Sequence, residues 1–185
     1  SHYPISNSKD GSHYALVRAI AEEGRFIIDT FQSYTANVDF AYRDGHYYSD
    51  RAPGIAFLSV PLHLVGLAIG HQIAEDPDLF SRHFIHIGPS IAGALAVILF
   101  IRLLQLIGVS TFAAWITGLV YALGSMHWKM SSLFWSHSYT ALWTIAICFL
   151  IVKSETTDEA SEQHPYLLAA LLGFCLLYTS DAADE

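Results

Sequence analysis

After Pro53 the chain carries apolar runs too long for a globular core. A helix needs about 20 predominantly apolar residues to cross the hydrocarbon of a bilayer. The windows 54–73, 85–106, 111–124 and 136–152 approach or reach that length. Composition agrees: 14% of residues are charged, against roughly one-quarter in soluble domains. The expected fold class is an all-α integral membrane protein, a multi-span helical bundle. A polar N-terminal region, residues 1–53, precedes it. Acidic net charge, −8 at neutral pH, argues against a nucleic-acid partner.

Within the N-terminal region, residues 12–23 read as a short amphipathic helix. Ser12 is a candidate cap, Leu16, Ala19 and Ile20 share a face, and Gly24 can end it. Residues 26–33 are less regular. Residues 38–48 read as a small hairpin turned by Asp44-Gly45 and flanked by Phe40, Tyr42, Tyr47 and Tyr48. Ala52-Pro53-Gly54 breaks this element.

The window 54–73 is apolar but interrupted by Pro61, His63 and Gly70. It either spans the bilayer or lies in the interface as a juxtamembrane or re-entrant helix, and residues 74–84 form a polar connection. The clearest span is 85–106, whose first half is rich in the small residues that membrane helices use for close packing. Residues 125–137 form an aromatic, hydroxyl-rich connection with Trp128 and Trp135 at interfacial positions. Residues 153–165 are an acidic loop, and 166–174 begin a further span. Basic residues do not fix orientation: Arg102 and Lys153 fall on one side, Arg82 and Lys129 on the other. The interfacial reading of 54–73 is preferred because it puts His137 on the side of the N-terminal region.

The chain opens without Met or a signal-peptide pattern, so a preceding helix is expected. Residues 175–185 resemble a sequencing adaptor translated in frame and are expected not to be native. Cys148 lies in an apolar run, Cys175 in that tail, and no disulfide or zinc framework emerges.

Three places carry candidate chemistry. Asp10 stands before a helix start, where unpaired amides favour a carboxylate; a plain helix-start acid is the simpler account. Tyr48, Asp50 and Arg51 stand where the polar region meets the apolar chain. Arg recognises phosphate through a planar fork, and a lipid phosphate lies at this depth; a headgroup anchor is the simpler account. His137 opens a span, where an ionisable group is a functional candidate by default or else a structural hydrogen-bonding group. His83 and His86, with Asp76 and Asp78 nearby, have a metal-like spacing that is common by chance.

These segments, in this order, resemble lipid-carrier-dependent glycosyltransferases. The group is glycosyltransferase family 39-like, with the C-type fold, and includes the aminoarabinose transferase of lipid A and the protein O-mannosyltransferases. The stretch DGSHYALVRAIAEEG, from Asp10 to Gly24, resembles that family's acid-plus-helix element. YSDRAP, from Tyr48 to Pro53, resembles its aromatic–acid–base–proline element, and LFWSHS, from Leu133 to Ser138, its polar region after the third span. Gly11 stands where a second acid is frequent, Asp50-Arg51 where Glu-Lys is common, and Ala52 where the first proline is usual.

The resemblance implies sugar transfer, with inversion, from a polyprenyl-phosphate carrier to a lipid, glycan or protein acceptor. Asp10 would be the base. Asp50 would be catalytic and the candidate ligand of a divalent metal ion. Arg51 and Tyr48 would bind the carrier phosphate, and His137 would line the site. It further implies that residues 1–53 form an extracytoplasmic loop at the outer face of the cytoplasmic membrane. The competing class is a multi-helix transporter or non-enzymatic membrane protein.

Overall fold

The computed structural model describes residues 8–156. The expected span at 166–174 and the tail at 175–185 lie outside the described residues. Two compact units are present. Residues 8–88 and 133–135 form the first; 89–132 and 136–156 form the second.

The first unit begins with α1, Ser8–Arg18, which continues through a wide turn, Ala19–Glu23, and ends at Gly24. The helix starts four residues before the expected cap. Ser12 does not cap it, because Ser12 Oγ lies 2.8 Å from Ser49 Oγ and donates to Asp50 Oδ1 at 3.2 Å. Asp10, Ser12, His13, Tyr14, Ala15, Leu16 and Val17 are all buried. A helix enclosed on every side cannot show the one-sided apolar stripe of a surface helix. That explains why amphipathic periodicity misplaced its start.

A 3₁₀ turn, Asp29–Thr35, packs against α1. Strands β1, Ala41–Arg43, and β2, His46–Tyr48, form an antiparallel hairpin pairing Tyr42 with Tyr47. Its turn needs positive φ at both centres, 52° at Asp44 and 88° at Gly45, which suits Asp-Gly. Asp29 anchors the hairpin: Tyr47 N–H donates to Oδ1 at 2.6 Å, and His46 Nδ1 lies 2.7 Å from Oδ2. These bonds hold the Asp29 carboxyl below its usual range.

Helix α2, Gly54–Ile73, runs unbroken through Pro61, and α3, Pro77–Phe84, folds back along it. The stretch expected as a polar connection is therefore largely helical. Asp76 accepts from Leu79 N–H at 3.0 Å with Pro77 in the first turn, a strong helix-start signal. The two helices approach closely at Gly66, where an added Cβ would lie 2.9 Å from Ser81 Cα. Between them His63 is fully buried. Ser81 Oγ is 2.8 Å from the His63 carbonyl and 2.7 Å from His63 Nδ1. A carbonyl only accepts, so Ser81 donates to it and receives the Nδ1 proton.

Arg18 ties these elements together. It donates to Glu22 at 2.6 and 3.1 Å and to Tyr34 Oη at 2.8 Å, and lies 3.7 Å from Asp78. Its guanidinium also sits 4.8 Å from the centre of the Phe31 ring, a cation–π distance.

The second unit contains most of α4, Ile87–Leu106, with α5, Thr111–Gly124, α6, His127–Ser132, and α7, His137–Thr156. An added Cβ at Gly93 would overlap Ser131 Oγ, so the smallest residue permits that approach. His127 Nε2 donates to the Gly93 carbonyl at 3.0 Å, and Nδ1 is 3.0 Å from Tyr121 Oη. Three helical stretches are long and apolar enough to cross a membrane: Gly54–Ile73, Pro77–Leu106 and His137–Ser154. Only 39%, 33% and 11% of their apolar windows are buried within the protein. Side chains such as Ile91, Leu95, Ile98, Phe112, Trp115 and Val120 are left facing outward, the surface expected where lipid is the solvent. Thr111–Gly124 is a shorter apolar helix.

Arg18→Met is expected to destabilise the first unit by about 1 kcal/mol, because Glu22 and Asp78 keep access to water that replaces part of the lost contact. Thermal unfolding in detergent micelles tests this. An unchanged midpoint would mean Arg18 does not hold the unit together.

Candidate functional site

The loop between β2 and α2 brings several of the expected residues to one place. Tyr48 closes β2 and forms an isolated antiparallel bridge with Ile27. That fixes where the next five residues start. Ser49 is held from two sides: its Oγ meets Ser12 at 2.8 Å and accepts from Arg51 N–H at 3.3 Å. Pro53 then precedes the first turn of α2, and its carbonyl accepts from Phe57 N–H at 3.0 Å.

Arg51 is mostly buried and meets two carboxylates. Nη2 donates to Asp39 Oδ1 at 2.8 Å, and Nε lies 3.4 Å from Asp50 Oδ1. Burial pushes the Asp50 carboxyl above its usual range. The Arg51 charge and the Ser12 hydrogen bond oppose that rise, and the Asp39 charge adds to it.

Tyr48, Ser49 and Arg51 line a cleft of about 180 Å³ with Leu16, Phe26 and Pro53. Its lining combines apolar residues with an arginine, a serine and a tyrosine. Such a mixed cleft suits a ligand with an anionic head and a greasy body. Phe26, half exposed, packs edge-on against Phe57 of α2, ring centres 5.8 Å apart. The apolar wall thus continues onto the candidate span.

Asp10 occupies the first turn of α1 and is buried. His13, one turn on and on the same face, is buried too. Its ring stands edge-on to Phe134 at 6.0 Å, and His86 meets the same Phe134 at 5.9 Å. The aromatic stretch before α7 is therefore part of the first unit. His137 opens α7 in the second unit.

Asp39 is the site residue that sequence reasoning missed. It lies 12 positions before Arg51, so neither local spacing nor a motif connects them. The metal spacing noted around His83 is used otherwise. His83 Nδ1 meets the Leu79 carbonyl at 2.8 Å, Asp76 caps α3, and Asp78 faces Arg18. Among the described residues no three His, Cys, Asp or Glu side chains converge.

No family model, curated protein or solved structure matches the chain. The likeness to lipid-carrier glycosyltransferases rests on the quoted residues alone.

The raised Asp50 carboxyl has a testable sign. An acid whose folded-state pKa is raised costs stability once ionised in the fold, and that cost vanishes below the ordinary carboxylate range. Asp50→Asn is therefore expected to raise the thermal midpoint at pH 7. The gain should shrink as pH falls through the carboxylate range. A gain independent of pH would show that ionisation of Asp50 is not its source.

Proposed function

We propose that this chain carries part of the active site of a membrane glycosyltransferase. The enzyme moves a sugar from a polyprenyl-phosphate carrier to an acceptor hydroxyl at the outer face of the cytoplasmic membrane. The observation that carries the reading is the cleft at the foot of α2. It combines Arg51, Ser49 and Tyr48 with an apolar wall of Leu16, Phe26 and Pro53, beside a helix long and apolar enough to cross a bilayer.

In this reading the acceptor oxygen attacks the anomeric carbon as the bond from that carbon to the phosphate oxygen breaks. The acceptor proton passes to Asp10. The negative charge that develops on the departing phosphate is met by Arg51, with Tyr48 as a hydrogen-bonding neighbour. One displacement inverts the sugar carbon.

Arg51→Ala is expected to weaken binding of a polyprenyl phosphate on the order of tenfold to a hundredfold, the range of hydrogen bonds to a charged group. Asp10→Asn in the intact enzyme should abolish transfer while leaving carrier binding unchanged. Equilibrium binding and a radiolabelled-sugar transfer assay check the two. Retained turnover removes Asp10 from the base role. Saturable binding without turnover in the unaltered enzyme favours a transporter or binding protein.

A further inference from the structure

We infer that Asp39 is a positioning residue: it holds the Arg51 guanidinium at the cleft so that the cleft can take a prenyl phosphate. The inference rests on the proposed function and adds the residue that sets its cation in place.

Asp39 stands on a built scaffold. The chain reverses through two left-handed residues, Ala36 at φ 54° and Asn37 at φ 59°. Thr35 fixes that reversal. Its hydroxyl donates to the Gln32 carbonyl at 2.8 Å and accepts from Asn37 N–H at 3.3 Å, and its carbonyl accepts from Val38 N–H at 3.2 Å. On the other side, the Phe40 ring meets Tyr47 edge-on at 5.0 Å, tying the segment to the hairpin. Left-handed non-glycine residues are uncommon and persist where the surroundings hold them. Here they deliver one carboxylate to one guanidinium.

The pair itself is close and enclosed. The Arg51 to Asp39 distance is 2.8 Å, and each side chain is 13% exposed. Asp39 Oδ2 is buried with no hydrogen-bond partner among the described residues. A purely structural acid would normally satisfy both oxygens.

Asp50 makes the choice of partner consequential. Its Oδ1 is 3.4 Å from Arg51 Nε, on a different atom of the same fork. With Asp39 in place, two carboxylates hold two edges of the guanidinium, and the group stays in the cleft wall. Without Asp39, Asp50 is the neighbouring carboxylate on which the guanidinium can close in a bidentate pair. The fork would then turn from the ligand. Loss of a negative charge acts oppositely and favours an anion. The direction of the effect therefore separates a positioning role from a merely neutralising one.

The test uses the full chain in neutral detergent micelles with farnesyl phosphate as the probe and inorganic phosphate as competitor. Unaltered protein should bind farnesyl phosphate saturably, and Arg51→Ala should lose about tenfold or more. Asp39→Asn should lose roughly threefold to tenfold, within the net worth of one hydrogen bond. Asp39→Glu, which restores a carboxylate, should recover most of that loss. Side-chain nitrogen NMR of arginine in the unaltered protein, assigned with Arg51→Lys, should show Arg51 in slow rotation about its Cζ–Nε bond. That readout needs no Asp39 variant to fold.

Asp39→Asn binding as tightly as the unaltered chain, or more tightly, overturns the positioning role and leaves the phosphate cleft standing. Freely rotating Arg51 in the unaltered chain overturns it as well. If the unaltered chain does not bind the probe, or Arg51→Ala binds equally, the proposed function fails and this inference with it. Displacement by inorganic phosphate at equal concentration would mean the site takes free phosphate rather than a lipid headgroup.

Discussion

The first unit depends on one enclosed cation. Arg18 reaches Glu22, Tyr34 and Asp78 and lies over Phe31. It thereby joins α1, the turn after it, the 3₁₀ turn and α3. A guanidinium suits this post because its five donors fan out in one plane toward several acceptors, and its face can still stack on a ring. Glu22 is shared further: its Oε1 lies 3.6 Å from His63 Nε2 in α2. Glu22 thus comes near the middle of a helix long enough to span a bilayer. The carboxylate partners of Arg18 are partly exposed, and ion pairs of that kind add little stability as such. The network links elements that also pack directly, α2 on α3 and both α2 and the 3₁₀ turn on α1.

That placement is what the cleft needs. Tyr48, Ser49 and Arg51 come from a loop, and loops hold functional groups well only when their ends are tied to rigid elements. Here the upstream end is tied through the Ile27–Tyr48 bridge. The middle is tied through Ser12 of the enclosed α1, and the downstream end runs directly into α2. Two polar contacts and the continuation into α2 thus do for the loop what Arg18 does for the unit around it.

Much of this architecture was legible in the sequence, for physical reasons that differ by element. Apolar runs announce helices in lipid because nothing else there satisfies the backbone. Asp44-Gly45 announces a turn because few other pairs tolerate positive φ twice. Asp76-Pro77 is an equally local helix-start signal, but it stands among polar residues that show no apolar run. The start of α1 was hidden for the opposite reason: a helix buried on all sides, with Asp10, Ser12 and His13 inside, has no apolar stripe to locate it. Tyr48, Asp50 and Arg51 could be named from adjacency. Asp39 could not, since its pairing with Arg51 is made only when the left-handed reversal at Ala36 and Asn37 folds the chain back.

Charge at the cleft follows from the same geometry. One guanidinium faced by two carboxylates leaves the trio at −1 if both acids are ionised. Burial and the neighbouring Asp39 charge both push Asp50 toward holding its proton. Whatever proton Asp50 takes up lessens the repulsion that an arriving anion meets. A dianion would gain more from the guanidinium than a monoanion, but would also meet more repulsion from Asp39. If the proposed function holds, the anionic headgroup of a prenyl carrier would meet Arg51 while its tail lay on Leu16, Phe26 and Pro53.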